Sequence, residues 1–267
     1  MARTRVRIAS LLALIVAPAL VAGCTSGPDK SAGSGSEGKE GRPVVVVTTT
    51  WEGAFAKAAG AEDVTVIVPQ SVHHAPDYDP KPSDLAAVAK ADFVVYAPFE
   101  PYAQKIKEAA GSRAKPVEVN LDNDAEKVKT EVARLGKLFG TEKAAAKWTT
   151  AFDAEYGKLA KDLKAAWPGG RSPNVVSQVF TTWSAKLAGA TTVGTYGPEA
   201  VTPAQLAKLS KEKPRLVLDN AHMSTGTVLP GSGARQVKIV NYPGQDLDLL
   251  PVYRNAAAEL KKAMSGS

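Results

Sequence analysis

Short, nearly continuous apolar runs alternate with amphipathic segments along most of this chain. In the first half, the apolar runs carry the β-branched residues that are typical of strands buried on both faces of a parallel sheet. They span residues 43–50, 64–69, 92–97 and 116–120. Helical periodicity lies between them, as in residues 51–60 and 82–91. This regular alternation of strand and helix predicts an α/β lobe.

Residues 124–168 interrupt the alternation, because they form a long segment rich in Ala, Lys and Glu. Gly140 and Thr141 predict a break in it, with Thr141 able to cap a second helix. We expect a last helix over residues 250–264, after a second series of strands at residues 174–180, 191–197, 215–220 and 236–241. We therefore predict an α/β fold of two lobes with central, mostly parallel sheets, joined by a long backbone helix. The predicted segments are 43–123 for the N-terminal lobe, 124–168 for the helical connection and 169–267 for the C-terminal lobe.

The N-terminus has the pattern of a signal peptide. Basic residues precede an apolar stretch, residues 8–23, which is short for a membrane span and contains Pro18. The LVAGC motif that ends it resembles the bacterial lipobox, and it predicts removal of residues 1–23 and lipid on Cys24. An ordinary secretory signal with a chance cysteine is the alternative. Residues 24–42 are rich in Gly, Ser and charge, and they are predicted to be a flexible tether.

Charge and cysteine content narrow the class of protein. The chain of 267 residues has a formal charge of +6, but three arginines belong to the predicted signal peptide, so the remainder is nearer +3. This low charge removes the main support for nucleic-acid binding. A single cysteine in an exported chain has no disulfide partner within it. Residues 43–267 are long enough for sizeable cores, and no second membrane-spanning segment is predicted.

The three histidines of the chain all follow predicted strand ends, where open α/β sheets bind their ligands. His73 and His74 lie in a proline-rich loop that also carries three carboxylates. His222 follows Asp219 and Asn220 at the exit of a strand of the second lobe. Imidazole and carboxylate together suit a divalent metal such as zinc or manganese. One metal ion could therefore bridge the two lobes, although the adjacent histidines could also be an ordinary surface pair.

Two further residues are candidates by position. Glu100 follows the strand that ends near Ala97, and its alternative role is a favourable charge at a helix N-terminus. Gln178 follows a strand of the second lobe. Glutamine is a weak metal ligand, and it more often lines a binding site as a hydrogen-bonding residue. Tyr78 and Trp51 are assigned to packing or to the lining of a cleft.

Several motifs resemble the metal-binding solute-binding lipoproteins of ABC importers, the zinc and manganese family of cluster A-I. They are VVVVTTT, a valine-rich strand that ends in Pro69, DYDPKPSDLAAVAKADFVVY, TPAQL and a closing D-x-D-L-L-x-V-Y-R. The resemblance implies two α/β lobes joined by a rigid helix and a protein without enzymatic turnover. Its implied partners are a membrane permease and a cytoplasmic ATPase. The protein is expected to be an exported monomer, held on the outer face of the cell membrane by its lipid.

The chain departs from the family pattern at the expected ligands. Pro76 stands where the family has a histidine directly before its D-Y-E-P-like motif, so the first ligand is shifted to His74 or His73. Residues 120–127 contain no histidine where the family has a D-P-H motif, which favours Glu100 as a substitute. Gln178 replaces another ligand, and the long His/Asp-rich loop of many zinc importers is absent.

The predicted metal ligands are therefore His74, Glu100 and His222, with assistance from His73, Asp219 or Gln178. The predicted cargo is Zn²⁺, with Mn²⁺ as the second choice. One alternative keeps the fold but binds a metal chelate or a small organic solute. Others are a metal-assisted hydrolase, for which no HExxH helix or nucleophile elbow is found, and an adhesion or structural lipoprotein with incidental histidines.

Overall fold

A computed structural model describes residues 42–69, 72 and 75–265. In its first half, four parallel strands form one sheet in the order β2-β1-β3-β4. The strands are β1 (Val44–Val47), β2 (Asp63–Val66), β3 (Phe93–Tyr96) and β4 (Lys115–Glu118). The helices between them are α1 (Thr50–Ala58), α2 (Pro82–Val88) and α3 (Ala103–Ala110).

The valines of β1 explain its central place in this sheet. Val45, Val46 and Val47 are buried, so both faces of the strand are covered. Val45 pairs with Val64 on one side and with Phe93 on the other. Branched apolar side chains pack well on such a covered, pleated surface. The carboxyl end of β1 then leads directly into α1.

Two long helices connect the halves of the chain, α4 (Ala125–Phe139) and α5 (Glu142–Ala166). Gly140 adopts a left-handed conformation, with φ of 71°, and ends α4 at the predicted break. Thr141 stands at the predicted cap position of α5, but its side chain makes no capping bond there. The hydroxyl donates to the carbonyl of Ala59 at 2.5 Å, so it ties the connection to the residue that follows α1.

The second half repeats the arrangement of the first, with a parallel sheet in the order β6-β5-β7-β8. Its strands are β5 (Asn174–Gln178), β6 (Thr191–Tyr196), β7 (Leu216–Asn220) and β8 (Arg235–Ile239). The helices are α6 (Thr182–Leu187), α7 (Pro203–Lys211) and α8 (Leu250–Ser265). Two parallel sheets, each with its helices, confirm the predicted α/β fold of two lobes.

An aromatic cluster joins the backbone helix α5 to the C-terminal lobe. Phe152 of α5 is fully buried and stacks on Trp148, with ring centroids 4.9 Å apart. Tyr253 of α8 lies edge-on to Phe152 at 5.0 Å and to Trp183 of α6 at 5.1 Å. Edge-to-face and offset contacts of this kind stabilise a core beyond the burial of area alone.

The predicted signal peptide, Cys24 and most of the tether lie in residues 1–41, outside the described residues. Within the part of the chain that is described, no helix combines the length and the apolar character needed to cross a membrane. Lipid attachment therefore stays a prediction from the sequence.

Candidate functional site

A cavity of about 380 Å³ lies at the carboxyl ends of strands from both sheets. From the first half of the chain it is lined by Thr49, Trp51, Glu52, Ala75, Pro76, Phe99, Glu100 and Leu121. From the second half it is lined by Phe180, Asn220, His222, Met223, Asn241 and Tyr242. The predicted location between the lobes thus agrees with the general rule for open α/β sheets.

Glu52 is a buried carboxyl at this cavity that sequence reasoning missed. Its Oε2 accepts a hydrogen bond from the backbone N–H of Thr49 at 3.0 Å and another from the Thr49 hydroxyl. Thr49 in turn caps α1, so the two residues form a capping box. The Oε1 of Glu52 is buried and accepts no hydrogen bond from the described residues. Burial raises the pKa of Glu52 above its usual range.

Glu100 lies beside Glu52 in the same wall and is also buried. Its Oε2 accepts from the backbone N–H of Ala97, and its Oε1 accepts from the hydroxyl of Tyr102, both at 3.1 Å. Burial and the neighbouring charge of Glu52 raise the pKa of Glu100 to about 8. At neutral pH Glu100 therefore retains much of its proton, and the two carboxyls do not carry their full negative charge together.

His222 enters the cavity from the opposite lobe, on the segment that follows β7. Its backbone N–H donates to Oδ1 of Asn220 at 3.0 Å, which fixes the start of this segment. Its ring lies edge-on to Tyr242, with centroids 4.7 Å apart. The backbone hydrogen bond to Asn220 and the ring contact with Tyr242 thus hold the exposed imidazole of His222 at the cavity.

Asp219 and Gln178 are close by but do not line the cavity. Asp219 is fully buried, and its oxygens accept from Tyr196 at 2.7 Å, Ser224 at 2.6 Å and Gln236 at 2.8 Å. Gln178 is buried as well, and its Oε1 accepts from the backbone N–H of Phe180 at 2.7 Å. Asp219 is thus fully engaged at the end of β7, whereas the amide nitrogen of Gln178 is buried without a hydrogen-bond partner among the described residues.

His73 and His74 lie outside the described residues, so their part in the site stays a prediction. Among the residues that are described, no three His, Cys, Asp or Glu side chains form a group that could hold a metal ion. The cavity therefore brings Glu100 and His222 to one space, without completing a metal site from those residues alone.

A chain of hydrogen bonds crosses between the lobes beside the cavity. The indole N–H of Trp51 donates to Oδ1 of Asn123 at 3.0 Å, and the amide of Asn123 donates to the carbonyl of Asn241 at 2.9 Å. The side chain of Asn241 accepts from Trp183 at 2.9 Å and donates to the carbonyl of Phe180 at 3.1 Å. This interlobe chain of Trp51, Asn123, Asn241 and Trp183 is buried and continuous. The sequence gives only a weak signal for it, because asparagines next to strands are common in turns.

Two parallel sheets, each with its helices, and a cavity at the carboxyl ends of their strands form the architecture that the resemblance to solute-binding proteins of ABC importers implies. Residues 45–145 match the model of the family described as zinc-uptake complex component A, periplasmic. This match confirms the resemblance to metal-binding solute-binding proteins over that part of the chain. Members of this class bind and release their solute, which agrees with the prediction that the chain is not an enzyme.

Solved structures share this fold at low sequence identity. FpvC from Pseudomonas aeruginosa, solved in complex with Mn²⁺, has a TM-score of 0.62 and 16% identity, covering 84% of this chain and 98% of that one. The Zn(II)-bound ZnuA-like domain of AdcA from Streptococcus pneumoniae has 0.56 and 16%, covering 84% and 99%. The laminin-binding protein Lbp of Streptococcus pyogenes has 0.58 and 17%, covering 84% and 98%. No curated protein sequence matches the chain.

Proposed function

We propose that the chain is the solute-binding lipoprotein of an ABC importer and captures a divalent transition metal, Zn²⁺ first and Mn²⁺ second. The observation that carries this proposal is that Glu100 and His222 come from opposite lobes and line one cavity. Carboxylate oxygen and imidazole nitrogen are ligands that both metals accept. Structures with the same fold have been solved with Zn(II) and with Mn²⁺ bound, and they support both candidates.

His73 and His74 complete the proposed ligand set. They directly precede Ala75 in the sequence, and Ala75 and Pro76 line the cavity. His74 is the residue directly before Ala75, so it is the first-lobe histidine nearest in sequence to the cavity. We therefore assign the first-lobe nitrogen ligand to His74, with His73 as the substitute.

We propose that Asp219 does not bind the metal directly but supports the segment that carries His222. Its oxygens already accept three hydrogen bonds, and breaking them to bind metal would leave buried donors without partners. The residue stabilises the end of β7, from which Asn220 and His222 reach the cavity. Groups that orient metal ligands in this way commonly affect affinity by about 10-fold to 100-fold.

Lipid on Cys24 would hold the protein on the outer face of the cell membrane, next to its permease and the ATPase on the cytoplasmic side. The polar segment before residue 43 supports this arrangement, because a Gly/Ser-rich chain gives a folded domain reach without a fixed orientation. A Cys24→Ser variant should leave the membrane fraction and lose incorporation of labelled fatty acid, whereas Ser26→Ala should behave as the unchanged protein. Membrane retention of Cys24→Ser would contradict the anchor.

Metal titration of protein purified without an affinity tag tests the site. We expect one Zn²⁺ per chain by elemental analysis, and His222→Ala, Glu100→Gln and His74→Ala should each weaken Zn²⁺ binding by at least about 100-fold. Glu142→Gln is the matched control, because this glutamate is exposed in the first turn of α5. Unchanged affinity in all three site variants would refute the proposal.

A further inference from the structure

The cavity has a polar interior and an apolar mouth. Glu52 and Glu100, which form the interior carboxyl pair, are 0% and 4% exposed. Glu52 lines this space, and its buried Oε1 accepts no hydrogen bond from the described residues. A buried acceptor without a partner is costly, so it is typical of a group that meets a ligand. The interior therefore suits a positively charged centre.

The mouth is formed by large apolar side chains from both lobes. Phe99 of the first lobe is 64% exposed, and Phe180 and Met223 of the second lobe are 50% and 37% exposed. Trp51 and Tyr242 extend this surface inward as an edge-on pair with centroids 5.0 Å apart. Contiguous exposed apolar groups at a cleft indicate a binding surface for an apolar or aromatic group. A bare metal ion would make no use of them.

The cavity offers few donors to a bare ion. Oδ1 of Asn220 accepts from the backbone of His222, and the side chain of Asn241 belongs to the interlobe chain of hydrogen bonds. The indole of Trp51 is engaged there as well. Within the described residues there is also no three-residue His, Cys, Asp and Glu group for a metal. The side chains of Asn220, Asn241 and Trp51 therefore have partners other than a bound metal.

The size of the cavity agrees with a cargo larger than an ion. Its volume is about 380 Å³. Pockets for small organic molecules span roughly 300–1,000 Å³, whereas one water molecule takes about 30 Å³ of liquid volume. A single ion with a few waters would leave most of the aromatic mouth uncovered.

We infer that the cargo is a divalent metal held in a small aromatic chelate, with the metal at the interior carboxyl pair and the organic ligand between Phe99 and Phe180. The inference rests on the proposed function, since it specifies the form in which the metal arrives. The chelator adds its own donors to those of the protein, and its ring covers the apolar mouth. The protein then recognises both parts of the complex.

Two N,O-chelators that differ in their aromatic ring test the inference on the full-length, untagged chain. The probes are Zn²⁺ alone, the 1:1 complex of Zn²⁺ with 8-hydroxyquinoline, the 1:1 complex with glycine, and 8-hydroxyquinoline alone. We expect the quinoline complex to bind at least about 10-fold tighter than Zn²⁺ or its glycine complex, as aromatic contacts on both rings would give. Calorimetry measures all four affinities, and quinoline fluorescence provides a second readout.

A Phe99→Ala, Phe180→Ala double variant separates the two parts of the cargo. Both side chains are exposed, so their removal should leave folding and the affinity for Zn²⁺ alone unchanged while it abolishes the preference for the quinoline complex. Equal binding of Zn²⁺ and both complexes would overturn the inference but leave the proposed function intact. Binding of 8-hydroxyquinoline alone as tightly as its complex would overturn it in favour of an organic solute. Failure of every metal form to bind would overturn the inference and the proposed function together.

Discussion

The two sheets of this protein have the same topology but use their strand ends differently. In each sheet the second strand lies at one edge, followed by the first, third and fourth. Polar residues lie at or after the carboxyl ends of the first and third strands in both sheets. In the first lobe these are the carboxyls Glu52 and Glu100, which follow β1 and β3, and in the second they are Gln178 and Asp219, which lie within the last two positions of β5 and β7.

The difference lies in how many hydrogen bonds these side chains make within the protein. Asp219 accepts three hydrogen bonds from its own lobe. Glu52, in contrast to Asp219, keeps one buried oxygen that accepts nothing from the described residues, and Gln178 keeps a buried amide nitrogen without a partner among them. Asp219 is therefore held within its own lobe, whereas Glu52 retains an oxygen that is available to a ligand. Hydrogen-bond satisfaction, and not the carboxyl group alone, distinguishes these two residues.

Removal of the Asp219 carboxylate should have the largest effect on stability. Asp219→Ala leaves buried Tyr196 and partly buried Gln236 without their acceptor, so we expect the free energy of unfolding to fall by about 3 kcal/mol. Urea denaturation followed by circular dichroism measures this loss. Asp162→Ala is the control, since that carboxylate is partly exposed and lies 3.7 Å from Lys261. A loss below about 1 kcal/mol would contradict the interpretation that the hydrogen bonds of Asp219 stabilise the second lobe.

Glu52→Gln should show the opposite pattern, with affinity lost and stability kept. The amide oxygen can still accept from Thr49, so the capping box of α1 survives. Its uncharged oxygen is a poorer metal ligand than a carboxylate, and we expect Zn²⁺ binding to weaken about 10-fold. Titration calorimetry and urea denaturation on the same preparation test both halves of the expectation. Loss of stability with unchanged affinity would make Glu52 a structural residue.

The carboxyl pair should also make the metal-free protein less stable at alkaline pH. The pKa of Glu100 is raised from an ordinary 4.5 to about 8, and the pKa of Glu52 is raised in the same direction. Because the folded state keeps protons that the unfolded state releases, the stabilisation is complete below about pH 4.5 and is lost as the pH rises towards 8. Melting temperatures in EDTA should therefore fall from pH 5.5 to pH 8.5. The decline should be smaller in a Glu52→Gln, Glu100→Gln double variant, and an equal decline in both proteins would contradict the assignment.

Much of this fold follows from local sequence patterns. The valine run of β1 and the Gly140 break both lie where periodicity and turn chemistry predict them, because these signals depend only on neighbouring residues. Thr141 already departs from its prediction, since the carbonyl of Ala59 is 82 positions away in sequence and competes for its hydroxyl. Long-range partners of this kind leave no local signal.

The site residues were harder to predict from the sequence, because their positions also depend on partners that are distant along the chain. Asp219 and Asn220 are adjacent, and alternation along β7 sends only one of them to the cavity. The sequence did not indicate which. Glu52 could have been found as the fourth residue of a Thr-x-x-Glu capping box, but that motif predicts a helix start and not a cavity. Its orientation depends on the packing of α1 between the lobes.

The smallest effect is expected at the ion pair between Lys186 of α6 and Asp124 at the start of α4, which links the second lobe to the helical connection. The Lys186 side chain is 68% exposed, so solvent screens the pair, and Lys186→Ala should cost less than about 1 kcal/mol. Asp124 also accepts from the backbone of Glu126 and Lys127 as the cap of α4, so Asp124→Ala should cost about 1 kcal/mol more. Urea denaturation at low and high salt distinguishes the two terms, because only the ion pair weakens with salt. A salt-sensitive loss for Lys186→Ala as large as that for Asp219→Ala would mean that surface charge, and not buried hydrogen bonding, makes the second lobe rigid.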